Sequence, residues 1–135
     1  MSNRKWRVLL VDDEPSIQKM IGKRLEVEGF DVLLASDGKE ALAIAMREHP
    51  DVIILDLLMP SMDGFQVCEE LKKSSTSKDI PIVAVFSGKG EADDEQRCRK
   101  LGAAAYVPKG QGAAQLLSEI KELLAKLPPG GPQVQ

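Results

Sequence analysis

Short apolar runs alternate along the chain with segments in which apolar residues recur every three or four positions. Val8–Val11, Val52–Leu57 and Pro81–Phe86 are almost continuous apolar runs, as is typical of strands covered on both faces. Phe30–Ala35 and Ala104–Val107 complete a set of five predicted strands. Strands alternating with helices predict an α/β domain of three layers, in which a doubly wound parallel sheet lies between two layers of helices.

Five helices are predicted between and after these strands. Pro15 suits the first turn of the first helix, and Asp37 is expected to cap the second. The later helices are predicted over Phe65–Lys73, over Glu91–Leu101 and around Leu116–Leu124. The apolar spacing predicts the inner faces of the first two helices, which are Ile17, Met20, Ile21 and Leu25, and Ala41, Leu42, Ala45 and Met46.

The composition limits the kind of protein. A chain of 135 residues with 43% hydrophobic residues can form one domain with its own core. A net charge of −3 gives no reason to expect a nucleic-acid-binding surface, and no apolar run is long enough to span a membrane. Cys68 and Cys98 are expected to be free thiols in a reducing cytoplasm. The Pro/Gly-rich residues 127–135 are predicted to be a linker or a frayed end.

Reactive side chains follow the predicted strands. Asp12 and Asp13 follow the first strand, Asp56 lies at the end of the third, and Ser87 and Lys109 follow the fourth and fifth. The carboxyl ends of parallel strands meet at one edge of a sheet, where ligands bind. Clustered carboxylates repel one another unless a cation joins them, and hard oxygen ligands suit Mg²⁺. Carboxylates, a cation, a lysine and a hydroxyl around one centre are suited to phosphoryl transfer, in which a carboxylate can accept the phosphoryl group.

Four stretches give this pattern a specific resemblance: VLLVDDEPSI, VIILDLLMPSMDG, PIVAVFSGKG and LGAAAYVPK. In this order and spacing they resemble the receiver domain of two-component response regulators, over about residues 5–126. The resemblance implies a CheY-like, flavodoxin-like (βα)5 fold with the strand order 2-1-3-4-5. It also implies a phosphorylatable receiver rather than an enzyme, since such a domain promotes only its own phosphorylation and dephosphorylation.

The resemblance also implies a role for each acid. Asp56 would accept the phosphoryl group. Asp13 and Asp56 would bind Mg²⁺ directly, with the backbone carbonyl of Leu58 as a third protein ligand and Asp12 acting through a metal-bound water. Taken alone, Asp12 and Asp13 could instead cap the first helix, and Asp56 could be a turn residue. The Asp-Gly pair that ends VIILDLLMPSMDG is expected to serve the turn into the third helix.

Three further residues match positions of the family that respond to phosphorylation. Lys109 would pair with Asp56 and then with the phosphoryl group, and Ser87 would donate a hydrogen bond to a phosphoryl oxygen. Tyr106 would move between an exposed and a buried position as Ser87 is drawn inward. The plainer alternatives are a turn serine, a solvated lysine and a tyrosine that only packs.

The phosphoryl donor is expected to come from outside the chain. His49, the one histidine, follows a helix and precedes Pro50, so it is interpreted as a helix C-terminal or solvated side chain. The resemblance therefore implies a histidine kinase or a histidine phosphotransfer protein as donor. The phosphorylated receiver would signal to a downstream protein or domain. It would do so through the surface formed by the fourth helix, the fifth strand and the fifth helix. The same surface could form a phosphorylation-dependent dimer. No direct contact to nucleic acid or membrane is expected, and the expected location is the cytoplasm.

The chain departs from the usual pattern of the family at three places. Ser87 replaces a threonine. Gly110 follows Lys109 where proline is usual, and Pro108 precedes the lysine instead, which predicts a looser loop after the fifth strand. Leu58 cannot orient an attacking water, which predicts slow autodephosphorylation.

Two rival functions remain open from the residues alone. A phosphatase or phosphotransferase of the haloacid-dehalogenase class also uses an aspartate, Mg²⁺, a lysine and a hydroxyl. In this chain, however, the residue two places after Asp56 is Leu58, where that class carries a second acid. The other rival is a degenerate receiver that acts as a phosphorylation-independent interaction module.

Overall fold

The computed structural model describes residues 5–59, 62–86, 92–108 and 113–126. The strands in these ranges are β1 (Arg7–Val11), β2 (Asp31–Ala35), β3 (Val52–Asp56), β4 (Leu58–Met59), β5 (Met62–Asp63), β6 (Ile82–Phe86) and β7 (Ala105–Pro108). The helices are α1 (Pro15–Val27), α2 (Gly38–Glu48), α3 (Gly64–Lys73), α4 (Ala92–Lys100) and α5 (Ala113–Ala125). Residues 127–135, predicted as a linker, lie outside the described residues.

Five parallel strands form the main sheet in the order β2-β1-β3-β6-β7. Counted among these five, the order is 2-1-3-4-5, so the predicted fold is confirmed. Each strand differs from its predicted limits by at most one residue at either end. The sequence did not predict the short antiparallel pair β4-β5, in which Leu58 pairs with Asp63.

Successive residues of the central strands face opposite layers. Leu9 and Ile53 pack with α2, α3 and α4 in one cluster, which also contains Cys68 and Cys98. Their neighbours Leu10 and Ile54 pack with α1 and α5 in a second cluster. This alternation follows from the two-residue period of a strand. By the same period, Asp56 lies on the α1/α5 face of β3.

The helix ends follow the local signals in the sequence. Pro15 is the first residue of α1, and Gly29 follows this helix with a φ of 99°, a conformation that glycine adopts without a steric cost. Asp37 caps α2, because its side chain accepts a hydrogen bond from the backbone N–H of Glu40 at 2.8 Å. His49 ends α2 in the left-handed conformation with a φ of 50°.

Two residues predicted on inner helix faces are exposed. Met20 is 60% exposed and Met46 is 42% exposed, so these two predictions were wrong. The buried face of α1 is centred on Gly22 and Leu25. At about 100° per residue, Met20 lies roughly 160° around the helix from Gly22. The same geometry turns Met46 away from Ile44, which is buried in α2.

The fourth helix, α4, has a highly charged sequence. Two contacts hold α4 against α3 and the core. The side chain of Cys98 is buried in the cluster with α2 and α3. The Arg97 guanidinium lies 4.1 Å from the centroid of the Phe65 ring, a distance at which a cation is attracted by the ring face.

Cys68 and Cys98 are both buried, and neither forms a disulfide within the described residues, as the sequence predicted. Burial raises the pKa of the Cys68 thiol, and the charge of Lys72 opposes this only in part. At pH 8 we expect both thiols to react with iodoacetamide about a hundredfold more slowly than an exposed thiol, since access requires local opening. Mass spectrometry of the native chain and of a Ser118→Cys variant, whose new thiol is exposed on α5, measures this difference. Native-state labelling of Cys68 or Cys98 at the rate of residue 118 would contradict it.

None of the helices in the described ranges is long and apolar enough to cross a membrane.

Candidate functional site at the carboxyl edge of the sheet

Three acids meet where β1 and β3 end. Asp12 directly follows β1, and Asp56 is the last residue of β3, the neighbouring parallel strand. One carboxylate oxygen from each of Asp12, Asp13 and Asp56 lies within 4.8 Å of the other two. The structure therefore brings together the three acids that the sequence placed at one edge of the sheet.

Asp12 is held by several hydrogen bonds. Its backbone N–H donates to the carbonyl of Ala35 at 3.1 Å, and its carboxylate accepts from the N–H of Glu14 at 2.9 Å. The side-chain amide of Gln18 donates to the carbonyl of Asp12 at 2.7 Å and to that of Ala35 at 3.0 Å. The N-cap residue of α1 is Glu14, so neither Asp12 nor Asp13 caps this helix.

The acid cluster fits a hard divalent cation. Asp12 and Asp56 are each only 2% exposed, whereas Asp13 is half-buried. Like charges this close in a buried setting are stabilised by a cation that they share. Mg²⁺ commonly takes one or two carboxylates and keeps water or phosphate oxygens as its other ligands. The two buried acids and the more open one match this requirement.

The chain after Asp56 is fixed against the sheet and against α3. The backbone N–H of Leu57 donates to the carbonyl of Val85 at 3.0 Å, and the N–H of Gly64 donates to the carbonyl of Leu57 at 3.1 Å. The side chain of Asp63 caps α3 by accepting from the N–H of Phe65 at 2.9 Å. Leu58, whose carbonyl was expected to bind the metal, begins β4 two residues after Asp56.

Gly64 makes the closest approach in this segment. A Cβ atom at this position would lie 2.4 Å from Cα of Leu57 and 2.7 Å from the carbonyl oxygen of Asp56. Only a residue without a side chain fits there. The first turn of α3 therefore packs directly against the backbone at the end of β3, which carries Asp56. Asp63 and Gly64 thus serve the turn into α3, as expected.

The remaining predicted residues are in different situations. Ser87 follows β6 and Lys109 follows β7 in sequence, and both lie outside the described residues, as does Gly110. Tyr106 pairs with Ala84 in the sheet and is half-buried. It packs against the cluster formed with α2, α3 and α4, and its hydroxyl oxygen is buried.

Sequence reasoning missed an apolar groove of about 670 Å³ between α1 and α5, whose floor includes Asp12 and Asp56. The sequence carried no signal for it, because the exposure of Met20 and the burial of Gly22 are seen only in the structure. Helical spacing alone does not tell which apolar residues of a helix stay open.

A family model identifies the family to which this fold belongs. The model of the response regulator receiver domain matches residues 8–121. This chain belongs to the response regulator receiver family. The receiver is a signalling domain rather than a conventional catalyst.

A curated relative is similar over most of the chain. The probable transcriptional regulator ycf27 of Porphyridium aerugineum is 39% identical over 124 residues, which cover 92% of this chain and 50% of the relative. This chain therefore spans about half the length of the curated relatives that it matches.

Solved receiver structures share the fold. The chemotaxis protein CheY4 of Vibrio cholerae has a TM-score of 0.84 and 33% identity, over 90% of this chain and 100% of that one. The receiver domain of the sensor histidine kinase PA1611 from Pseudomonas aeruginosa has a TM-score of 0.82 and 27% identity, over 91% and 100%. That structure contains a magnesium ion coordinated in its active site cleft.

Proposed function

We propose that this receiver accepts a phosphoryl group on Asp56 from a phosphohistidine of a partner protein. One observation carries the proposal: the carboxylates of Asp12, Asp13 and Asp56 lie within 4.8 Å of one another at the sheet edge. Asp13, Asp56 and the backbone carbonyl of Leu58 would hold Mg²⁺, and Asp12 would hold it through water. When bound, the ion neutralises negative charge on the phosphoryl oxygens.

The residues of the chain would then act on the reacting atoms. A carboxylate oxygen of Asp56 forms a bond to phosphorus while the phosphorus–nitrogen bond of the donor breaks. The electron pair of that bond stays with the imidazole of the donor. Lys109 would pair with the phosphoryl group, and Ser87 would donate a hydrogen bond to one of its oxygens.

The output is proposed to act through α4, β7 and α5. Tyr106 lies on β7 and would change its position when Ser87 moves. We infer a histidine kinase or histidine phosphotransfer protein as donor, and a downstream protein or domain, or a second copy of the chain, as the partner of this surface. Residues 5–126 would form the receiver and residues 127–135 a linker. A cytoplasmic location fits two cysteines, Cys68 and Cys98, that form no disulfide.

Mass measurement tests the proposal directly. We expect the chain to gain the mass of one phosphate when it is incubated with acetyl phosphate and Mg²⁺, and to gain none when the metal is removed with EDTA. Peptide mapping should place the phosphate in the segment that contains Asp56. A chain that gains no phosphate under these conditions would instead be a degenerate receiver, and steady turnover of a small phosphoester would indicate a phosphatase.

The phosphate on Asp56 is predicted to be long-lived. Hydrolysis requires a water aligned with phosphorus, and the apolar side chain of Leu58, two residues after the acceptor, has no polar atom to align it. We expect a half-life of minutes or longer without a phosphatase, and faster loss in a Leu58→Asn variant. The decay of the phosphorylated mass after removal of acetyl phosphate measures both, with Leu58→Met as an apolar control. A half-life of seconds in the parent chain would contradict this prediction.

A further inference from the structure

The apolar groove between α1 and α5 has the size and the lining of a small-molecule site. Its volume of about 670 Å³ lies within the range of about 300–1,000 Å³ that is usual for such sites. Most of its lining is apolar and includes Leu10, Ile17, Met20, Ile21, Ile54 and Leu116.

Helix α1 packs against β2 on one side and lines the groove on another. Gly22 is buried against β2, where an added Cβ would lie 3.9 Å from side-chain atoms of both Leu34 and Val32. The side of α1 that faces α5 is less well covered, so Ile17 and Ile21 are only half-buried. Leu116 of α5 is buried on the opposite wall. Helices α1 and α5 thus form the two walls of the groove.

The charges of the groove are arranged by depth. Asp12 and Asp56 lie on the floor and are buried, whereas Lys23 and Arg24 of α1 line the groove with exposed side chains. Arg24 forms an ion pair with Glu28 at 3.6 Å. Lys23 makes no ion pair with any residue of the described ranges. A ligand that keeps a polar head in water and buries an apolar body would place its head beside two cations.

We propose that this groove binds an amphiphile with an unbranched apolar body and one anionic head group, such as a medium-chain carboxylate. The apolar body lies against Ile17, Ile21 and Leu116, and the carboxylate is held at the mouth by Lys23 and Arg24. The adaptable side chain of Met20 closes over the body. This inference goes beyond the phosphoryl-accepting function and does not rest on it.

Titration of the full chain with decanoate, followed by NMR of the backbone amides, tests the proposal. We expect saturable shifts in α1, in the first turns of α5 and at the carboxyl ends of β1 and β3. Decanol and decylammonium should bind at least about fivefold more weakly, because they lack the anionic head. No saturation with decanoate, as in a groove that accepts only a protein helix, would overturn the proposal. Equal binding of the three compounds would overturn it as well.

Two charge reversals on α1 distinguish binding of decanoate at the groove from general electrostatic attraction to the protein. Lys23→Glu should weaken decanoate binding about three- to tenfold, because attraction at the mouth becomes repulsion. Lys19→Glu makes the same change at an exposed residue of α1 that does not line the groove, and it should leave binding within about twofold. Equal losses in both variants would overturn the assignment of the mouth.

Acetyl phosphate labelling of the same two variants keeps this inference separate from the phosphorylation proposal. Neither residue belongs to the acid cluster, so we expect both variants to gain one phosphate. If the chain binds decanoate but accepts no phosphate, only the phosphorylation proposal is overturned. If it accepts phosphate but does not bind decanoate, only the groove proposal is overturned.

Discussion

An Asp56→Asn variant is expected to gain no phosphate from acetyl phosphate and Mg²⁺, whereas the parent chain gains one. The amide that replaces the carboxylate is a poor nucleophile and carries no negative charge. Asp56 is 2% exposed at the end of a strand whose other residues are all buried. It is therefore held in one position, and a nearby acid cannot take its place without moving the strand. Intact mass spectrometry measures the result.

An Asp13→Asn variant distinguishes the acceptor from a metal ligand. This change keeps Asp56 and removes one of the three carboxylates. We expect the variant to need about ten- to hundredfold more Mg²⁺, which corresponds to about 1–3 kcal/mol of lost binding, and then to gain one phosphate. A phosphate on Asp56→Asn equal to that on the parent would refute the assignment of Asp56. If the Asp13→Asn variant gained no phosphate at any Mg²⁺ concentration, Asp13 would have a role beyond metal binding.

A Gly64→Ala variant is expected to lose about 3 kcal/mol or more of unfolding free energy. The added Cβ would lie 2.4 Å from Cα of Leu57, and a backbone atom cannot rotate out of its way as a side chain can. Since α3 and the end of β3 must then separate, we also expect slower phosphorylation of Asp56. Urea denaturation followed by circular dichroism measures the loss of stability.

Gly22→Ala is the matched control for this helix glycine. A Cβ at residue 22 would meet Leu34 and Val32 at 3.9 Å, which is ordinary van der Waals contact. Alanine also favours the helix over glycine by about 1 kcal/mol. We expect this variant to be as stable as the parent chain or slightly more stable. A similar loss in both variants would show that the close approach at Gly64 is not the cause.

Much of the fold could be predicted from the sequence because strand and helix signals agree with each other. The buried run of β3 and the Asp37 cap of α2 are local patterns, and each formed as predicted. The exposure of Met20 could not be predicted in the same way. Helical spacing defines a row of residues, but it does not specify that Gly22 and Leu25 are the residues of α1 that become buried.

For the candidate site, too, some features could be predicted from the sequence and others could not. Asp12, Asp13 and Asp56 could be predicted together because each lies at or just after the carboxyl end of a parallel strand. Topology alone brings these ends to one edge. The pair β4-β5 and the groove between α1 and α5 depend on distances between elements that are remote in sequence. No pattern of residue types encodes such distances, so they require the structure.

The alternation of β3 between the two layers has a consequence for insertions and deletions. Ile53 and Leu55 face α2 and α3, whereas Ile54 and Asp56 face α1 and α5. Gain or loss of one residue within β3 would exchange the two sets, because neighbouring positions point to opposite faces. The acid would then be removed from Asp12 at the same time as both cores were disrupted. In this strand, a change of length cannot alter the chemistry and leave the fold intact.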